Sequence, residues 1–119
     1  MKSRMIVLTA VCTLLLWGCL AFYSAHEQFR RGMDTYVKMN RTIDFFNDQE
    51  YPAYRPANFE HLTNIERIDE LIDRYHFRRP RFDYFCHYYF DVDRASRKVI
   101  GWGFDEHLAD PKKTCGMSG

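Results

Sequence analysis

Hydrophobic positions follow a different rule in each part of the chain. From Met5 to Ala25 they form a run of 21 residues without a charge, preceded by Lys2 and Arg4. A helix of that length spans about 31 Å, close to the hydrocarbon thickness of a bilayer. From 26 to 47, Phe29, Met33, Tyr36, Val37, Asn40 and Ile43 recur at spacings of three and four. That spacing predicts an amphipathic helix, ended by Asn47-Asp48-Gln49 and then Pro52 and Pro56. Further on, Ile65, Ile68, Leu71, Ile72 and Tyr75 again share one helical face, and Thr63-Asn-Ile-Glu66 matches a capping box. A second amphipathic helix is therefore expected from Thr63 toward Pro80.

The period then changes to two. Phe82, Tyr84, Cys86, Tyr88, Phe90 and Val92 take one parity; Asp83, Phe85, His87, Tyr89 and Asp91 take the other. This is a strand whose Cys86 face looks at the helices. After a polar connector, Ile100, Trp102 and Phe104 predict a second strand, paired antiparallel to the first. Gly101 and Gly103 either relieve crowding opposite the aromatic strand or mark a bulge. The expected fold is α+β: an N-terminal transmembrane or anchor helix, then two amphipathic helices packed on a small antiparallel sheet. The domains are an anchor (1–25), a stalk or amphipathic helix (26–50) that runs on from it, and a small α+β unit (51–119).

Charge narrows the class. The chain has 17 Lys+Arg and 16 Asp+Glu, a net charge of +1. Removing Lys2 and Arg4 leaves 15 basic residues against 16 acidic ones, or −1, beyond residue 25. Such a balance excludes the basic footprint of a nucleic-acid binder. Membrane lipid is the expected partner of residues 5–25. The favoured arrangement is a single-pass inner-membrane anchor, N-terminus cytoplasmic and C-terminal domain periplasmic. Leu16-Trp17-Gly18-Cys19 also has the outline of a lipobox, so the alternative is an outer-membrane lipoprotein lipidated at Cys19. A cleaved signal peptide fits least, because no A-x-A-like site follows the run.

Four cysteines are present; Cys12 and Cys19 fall inside the apolar run, Cys86 and Cys115 beyond it. In an exported domain the latter pair predicts a Cys86–Cys115 disulfide. Other chemistry is not signalled. Asp91-Val-Asp93 opens like a calcium loop, but Ala95 and Ser96 stand where a ligand and a glycine are needed. The five histidines have no i,i+3 or i,i+4 pair, and there is no CxxC, so the usual zinc spacings are missing. Cys86 and His87 point to opposite sides of a strand, which defeats a nucleophile–base pair. No nucleotide or hydrolase motif occurs, and no catalytic residue, metal or cofactor is expected.

Arg78-Arg79-Pro80-Arg81 is a basic knot beside aromatics, offset by Asp69, Glu70, Asp73 and Asp83. Aromatic residues beyond residue 25 outnumber what so small a core can bury. Tyr51, Tyr54, Arg78, Arg79, Arg81, Phe85 and Tyr89 are therefore the expected partner surface, since Tyr and Arg are enriched at protein interfaces.

The stretch Tyr84-x-Cys86-x-Tyr88-x-Phe90-Asp91-x-Asp93, followed by Lys98-Val99-x-Gly101-Trp102, resembles the SmpA/OmlA (BamE-like) group of small envelope proteins. The resemblance covers Leu62 to Phe104. It departs from that group at the helix entry and at Phe77-Arg78-Arg79, where a Gly would precede the Pro. It implies two helices on a short antiparallel sheet, membrane tethering and a scaffolding role. The expected function is thus non-enzymatic: binding, scaffolding or assembly toward another membrane or periplasmic protein. The alternative is a periplasmic enzyme or small-ligand carrier with an aromatic pocket using His87 or His107.

Overall fold

A computed structural model describes residues 24–48, 55–81 and 83–116. The elements are helix α1 (Ala25–Lys38), helix α2 (Ile43–Asn47), a 3-10 turn (Phe59–His61), strands β1 (Leu62–Arg67), β2 (Ile72–Arg81), β3 (Tyr84–Asp93) and β4 (Val99–Phe104), and a final turn of helix, α3 (Pro111–Thr114). The fold is α+β. Its sheet is a four-stranded antiparallel meander in the order β1-β2-β3-β4.

The first expected helix exists but is two helices. Asn40 takes a left-handed φ of 55°, a conformation that ends helices and that Asn tolerates better than most residues. Thr42 then caps α2, its hydroxyl accepting from the Phe45 amide at 3.1 Å. At the other end, Ser24 is extended and its hydroxyl accepts from the Glu27 amide at 3.1 Å. α1 therefore has its own N-terminus at Ala25. Its apolar face lies on the sheet, with Phe29 and Met33 buried.

The second expected helix is absent; Leu62–Arg67 and Ile72–Arg81 are strands joined as a hairpin. A capping box contributes about 1 kcal/mol to a helix. Burying an aromatic side chain is worth roughly 1.5–3 kcal/mol, and the strand buries both Tyr75 and Phe77. They lie against Phe90 and Tyr88 of β3 in register, so pairing with the strongest strand overrides the local signal. The capping residues serve elsewhere: the Thr63 hydroxyl donates to the His76 carbonyl at 3.1 Å, and Glu66 binds the His76 ring. Pro80 fits because β2 extends past the end of its pairing with β1, where no ladder donor is required.

β3 follows the period-two pattern: Cys86, Tyr88, Phe90 and Val92 are buried. The Tyr88 hydroxyl donates to the buried Pro56 carbonyl at 2.6 Å, and burial pushes its pKa up. In β4, Trp102 and Phe104 pack on Phe29 as the alternation predicts. Ile100 does not join them. A bulge between Asp91/Val92 and Val99/Gly101 makes Ile100 the extra residue, so Val99 is buried and Ile100 exposed. Both roles foreseen for the glycines are filled: a Cβ on Gly103 would collide with the Tyr89 ring.

Cys86 and Cys115 form a disulfide, with Cα atoms 4.9 Å apart. Both are buried. The bond ties the segment after β4 to the core-facing side of β3.

Candidate functional site

The sheet has an inner face under the helices and an outer face without them. The expected partner surface divides between the two. β2 and β3 pair Arg79 with Cys86 and Arg78 with His87, so Arg79 and Arg81 lie on the inner side. Arg78, Phe85 and Tyr89 lie on the outer one. The basic knot is thus the end of a strand with alternating sides, not a turn presenting three cations together. Arg78 stacks on Phe85, its guanidinium carbon 4.3 Å from the ring centroid, and Arg74 covers Tyr89 at 4.0 Å. Tyr51 and Tyr54 lie outside the described residues, as do Cys19 and residues 5–23 of the apolar run. Among the described residues no helix is long and apolar enough to cross a membrane.

The outer face carries a polar cluster. Arg74 donates to both carboxylate oxygens of Asp91, at 2.8 and 3.2 Å, and this contact raises the Arg74 pKa. His76 stands beside it, with Nε2 2.9 Å from Glu66 Oε1 and Nδ1 2.9 Å from Asp105 Oδ2. Burial disfavours the imidazolium, but the hydrogen bonds and charges of Asp105 and Glu66 outweigh it, and the His76 pKa is raised. His87, one strand over, is shifted the opposite way: burial is the main cause, and the charges of Arg78 and His107 add to it.

A cavity of about 560 Å³ opens here, lined in part by Asn64, His76, His87, Asp105 and His107. The two histidines singled out by the alternative functional reading therefore share one cavity. Among the described residues no group of three or more His, Cys, Asp or Glu is arranged to hold a metal ion.

A second feature lies at the β1–β2 turn. Ile65, Ile68 and Leu71 are 50%, 40% and 69% exposed. Ile65 lies in β1, paired with Tyr75, and Ile68 and Leu71 lie in the turn. Three large exposed aliphatic side chains on one hairpin are a concentration that solitary surface apolar residues do not make. Sequence reasoning placed these residues on the buried face of a helix and so missed them as a surface. The alternation of Tyr75 and Phe77 was the one period-two hint in this stretch.

The turn that carries Ile68 and Leu71 is held firmly. Asp69 Oδ1 accepts from the Leu71 and Ile72 amides at 2.7 and 2.9 Å. Arg94, from the β3–β4 connector, reaches across to it. Its guanidinium donates to the Glu70 and Asp69 carbonyls, both at 2.8 Å, and to Asp73 Oδ1 at 2.7 Å. The Arg94 amide adds a bond to the Leu71 carbonyl at 2.8 Å. The hydrogen bond from Arg94 holds the Asp73 carboxyl below its usual range.

No protein-family model, curated protein or solved structure matches the chain.

Proposed function

We propose that this protein is a membrane-anchored, extracytoplasmic binding module that holds a partner protein of the cell envelope at its β1–β2 turn. The observation that carries the reading is the exposed trio Ile65, Ile68 and Leu71 on the β1–β2 hairpin, whose turn is fixed by Asp69 and Arg94. A rigid apolar projection loses little conformational freedom when an apolar groove receives it, so most of its burial energy appears as affinity. The placement is supported by the uncharged run after Lys2 and Arg4 and by the Cys86–Cys115 disulfide, a bond of oxidising compartments. In this reading the anchor is a single inner-membrane span through residues 5–25, with a lipid on Cys19 as the alternative tether. A scaffolding role is also what the resemblance to the BamE-like group implies, although the β1–β2 hairpin stands where that group has a helix.

The test is a double variant, Ile65→Ser with Leu71→Ser, compared with the natural chain in recovery of co-purifying protein from gently solubilised native membranes. Both side chains are exposed, so the fold is retained. The expected result is loss of a specific partner by tenfold or more. Undiminished recovery contradicts the reading.

A second reading rests on the cavity shared by His76, His87 and His107. A small-ligand carrier would use it. Ligand-dependent shifts of the His87 and His107 ring resonances, with the tip residues unaffected, would favour that role.

A further inference from the structure

Among the described residues, the His76 ring has a carboxylate on each nitrogen. A neutral imidazole has one N–H and one lone pair. It can donate to Asp105 or to Glu66, but its other nitrogen then faces an ionised oxygen lone pair to lone pair. Two contacts of 2.9 Å to two carboxylates are satisfied together only by the imidazolium. Asp105 is 7% exposed and the His76 side chain 15%, whereas Glu66 is 52% exposed. The two ends of the clamp are therefore unequal: the Asp105 end is held by burial and the Glu66 end is free to leave.

The clamp joins elements that otherwise meet weakly. Glu66 belongs to the edge strand β1, whose side chains after Leu62 are all exposed. Asp105 opens the segment after β4, where its amide donates to the His87 carbonyl at 3.1 Å. Glu66 and Asp105 lie on two walls of the 560 Å³ cavity, with His76 between them. The other charged and titratable groups around His76 are accounted for. On β2, Arg74 is paired with Asp91 and Arg78 is stacked on Phe85. On β3, the Tyr89 ring lies 5.8 Å from the His76 ring, and His87 is held toward its neutral form by burial. His107 lines the same cavity from beyond Asp105.

We infer that His76 is a proton-dependent clamp: protonated, it fastens β1 to the segment following β4 across the outer-face cavity, and deprotonated, it releases Glu66 and opens that wall. The neutral ring keeps its Nδ1–H bond to the buried Asp105. Its Nε2 lone pair then repels Glu66, which turns into solvent. The sign follows from linkage. A histidine whose folded pKa is raised contributes stability that is complete below its unfolded value, about 6.5. That contribution is lost as pH rises through the higher folded value. An extracytoplasmic domain is exposed to such changes of pH, but the clamp stands on its own geometry and does not depend on the partner-binding reading.

The test follows the His76 ring and the Asn64–Arg67 amides by NMR against pH, using the isotope-labelled full chain in detergent micelles. The clamp requires a His76 midpoint above 6.5, the ordinary histidine value, with the resonances of the β1 amides shifting at that same midpoint. Glu66→Gln, at an exposed position that leaves the fold intact, lowers the midpoint and uncouples the β1 amides from it. Tris-free buffers of constant ionic strength keep the comparison clean. A midpoint at or below 6.5, β1 amides indifferent to the His76 titration, or a midpoint unmoved by Glu66→Gln would each overturn the inference.

Discussion

Arg97 holds Asp44 from 53 residues away, with Nε and Nη2 on the two carboxylate oxygens at 2.7 and 2.8 Å. The same guanidinium donates to the Tyr75 hydroxyl at 3.2 Å. One side chain in the β3–β4 connector thus fastens that connector to α2 and to β2. It does so from a left-handed backbone, φ 64°, which is unfavourable for a residue with a Cβ. The contacts keep Arg97 there at a local conformational cost.

Two substitutions separate these terms. Arg97→Ala loses the ion pair and keeps the strained backbone. Arg97→Gly loses the ion pair and relieves the strain. The pair is about half exposed, 46% and 44% for the two side chains, so solvent screening limits its worth to about 1 kcal/mol. The relief at a left-handed position is of similar size, about 1 kcal/mol. Chemical denaturation should find Arg97→Ala destabilised by roughly 1 kcal/mol and Arg97→Gly near the natural chain. The pair also carries a pH signature. The hydrogen bond from Arg97 holds the Asp44 carboxyl below its usual range, so its contribution is complete above the unfolded carboxylate value. It disappears as pH falls through the lower folded one. Acid unfolding of Arg97→Ala should lack that increment.

The disulfide closes a separation of 29 residues. The chain-entropy account gives about 3.6 kcal/mol for such a loop, a large share of what a small domain has. Because both sulfurs are buried, a Cys86→Ala, Cys115→Ala double variant is a cleaner comparison than serines, which would bring hydroxyls into the core. Its thermal midpoint should fall by roughly 15 °C or more. Thiol trapping in intact cells should leave Cys86 and Cys115 unlabelled until reductant is added. A drop of only a degree or two would show that the tail after β4 is held by contacts other than the bond.

What could be read from the chain and what could not divide along one line. β3 was legible because its alternation is unbroken and its apolar parity is the one that is buried. The disulfide was legible because Cys86 lies on that parity. β2 was not, because Ile65, Ile68, Leu71, Ile72 and Tyr75 satisfy a helical spacing as well as a hairpin with its turn at Asp69. Only the partner strand decides between them. The bulge at Ile100 was equally hidden: one inserted residue moves a side chain to the other face without altering the local pattern. Both candidate sites follow from the β1–β2 hairpin. The apolar tip exists because the helix does not, and the Glu66–His76–Asp105 clamp because β1 and β2 lie side by side.

The reading of this protein as a binding module rests on the β1–β2 turn, and the most direct measurement is photocrosslinking from Leu71 in native membranes. A photoreactive residue at Leu71, 69% exposed, should give one discrete protein adduct, and the same residue at Lys113 on α3 should not. Arg94→Ala, which removes the guanidinium bonds to the Asp69 and Glu70 carbonyls, should weaken that adduct severalfold while the core strands keep their amide protection. No adduct at Leu71, or equal adducts at Leu71 and Lys113, would contradict the account.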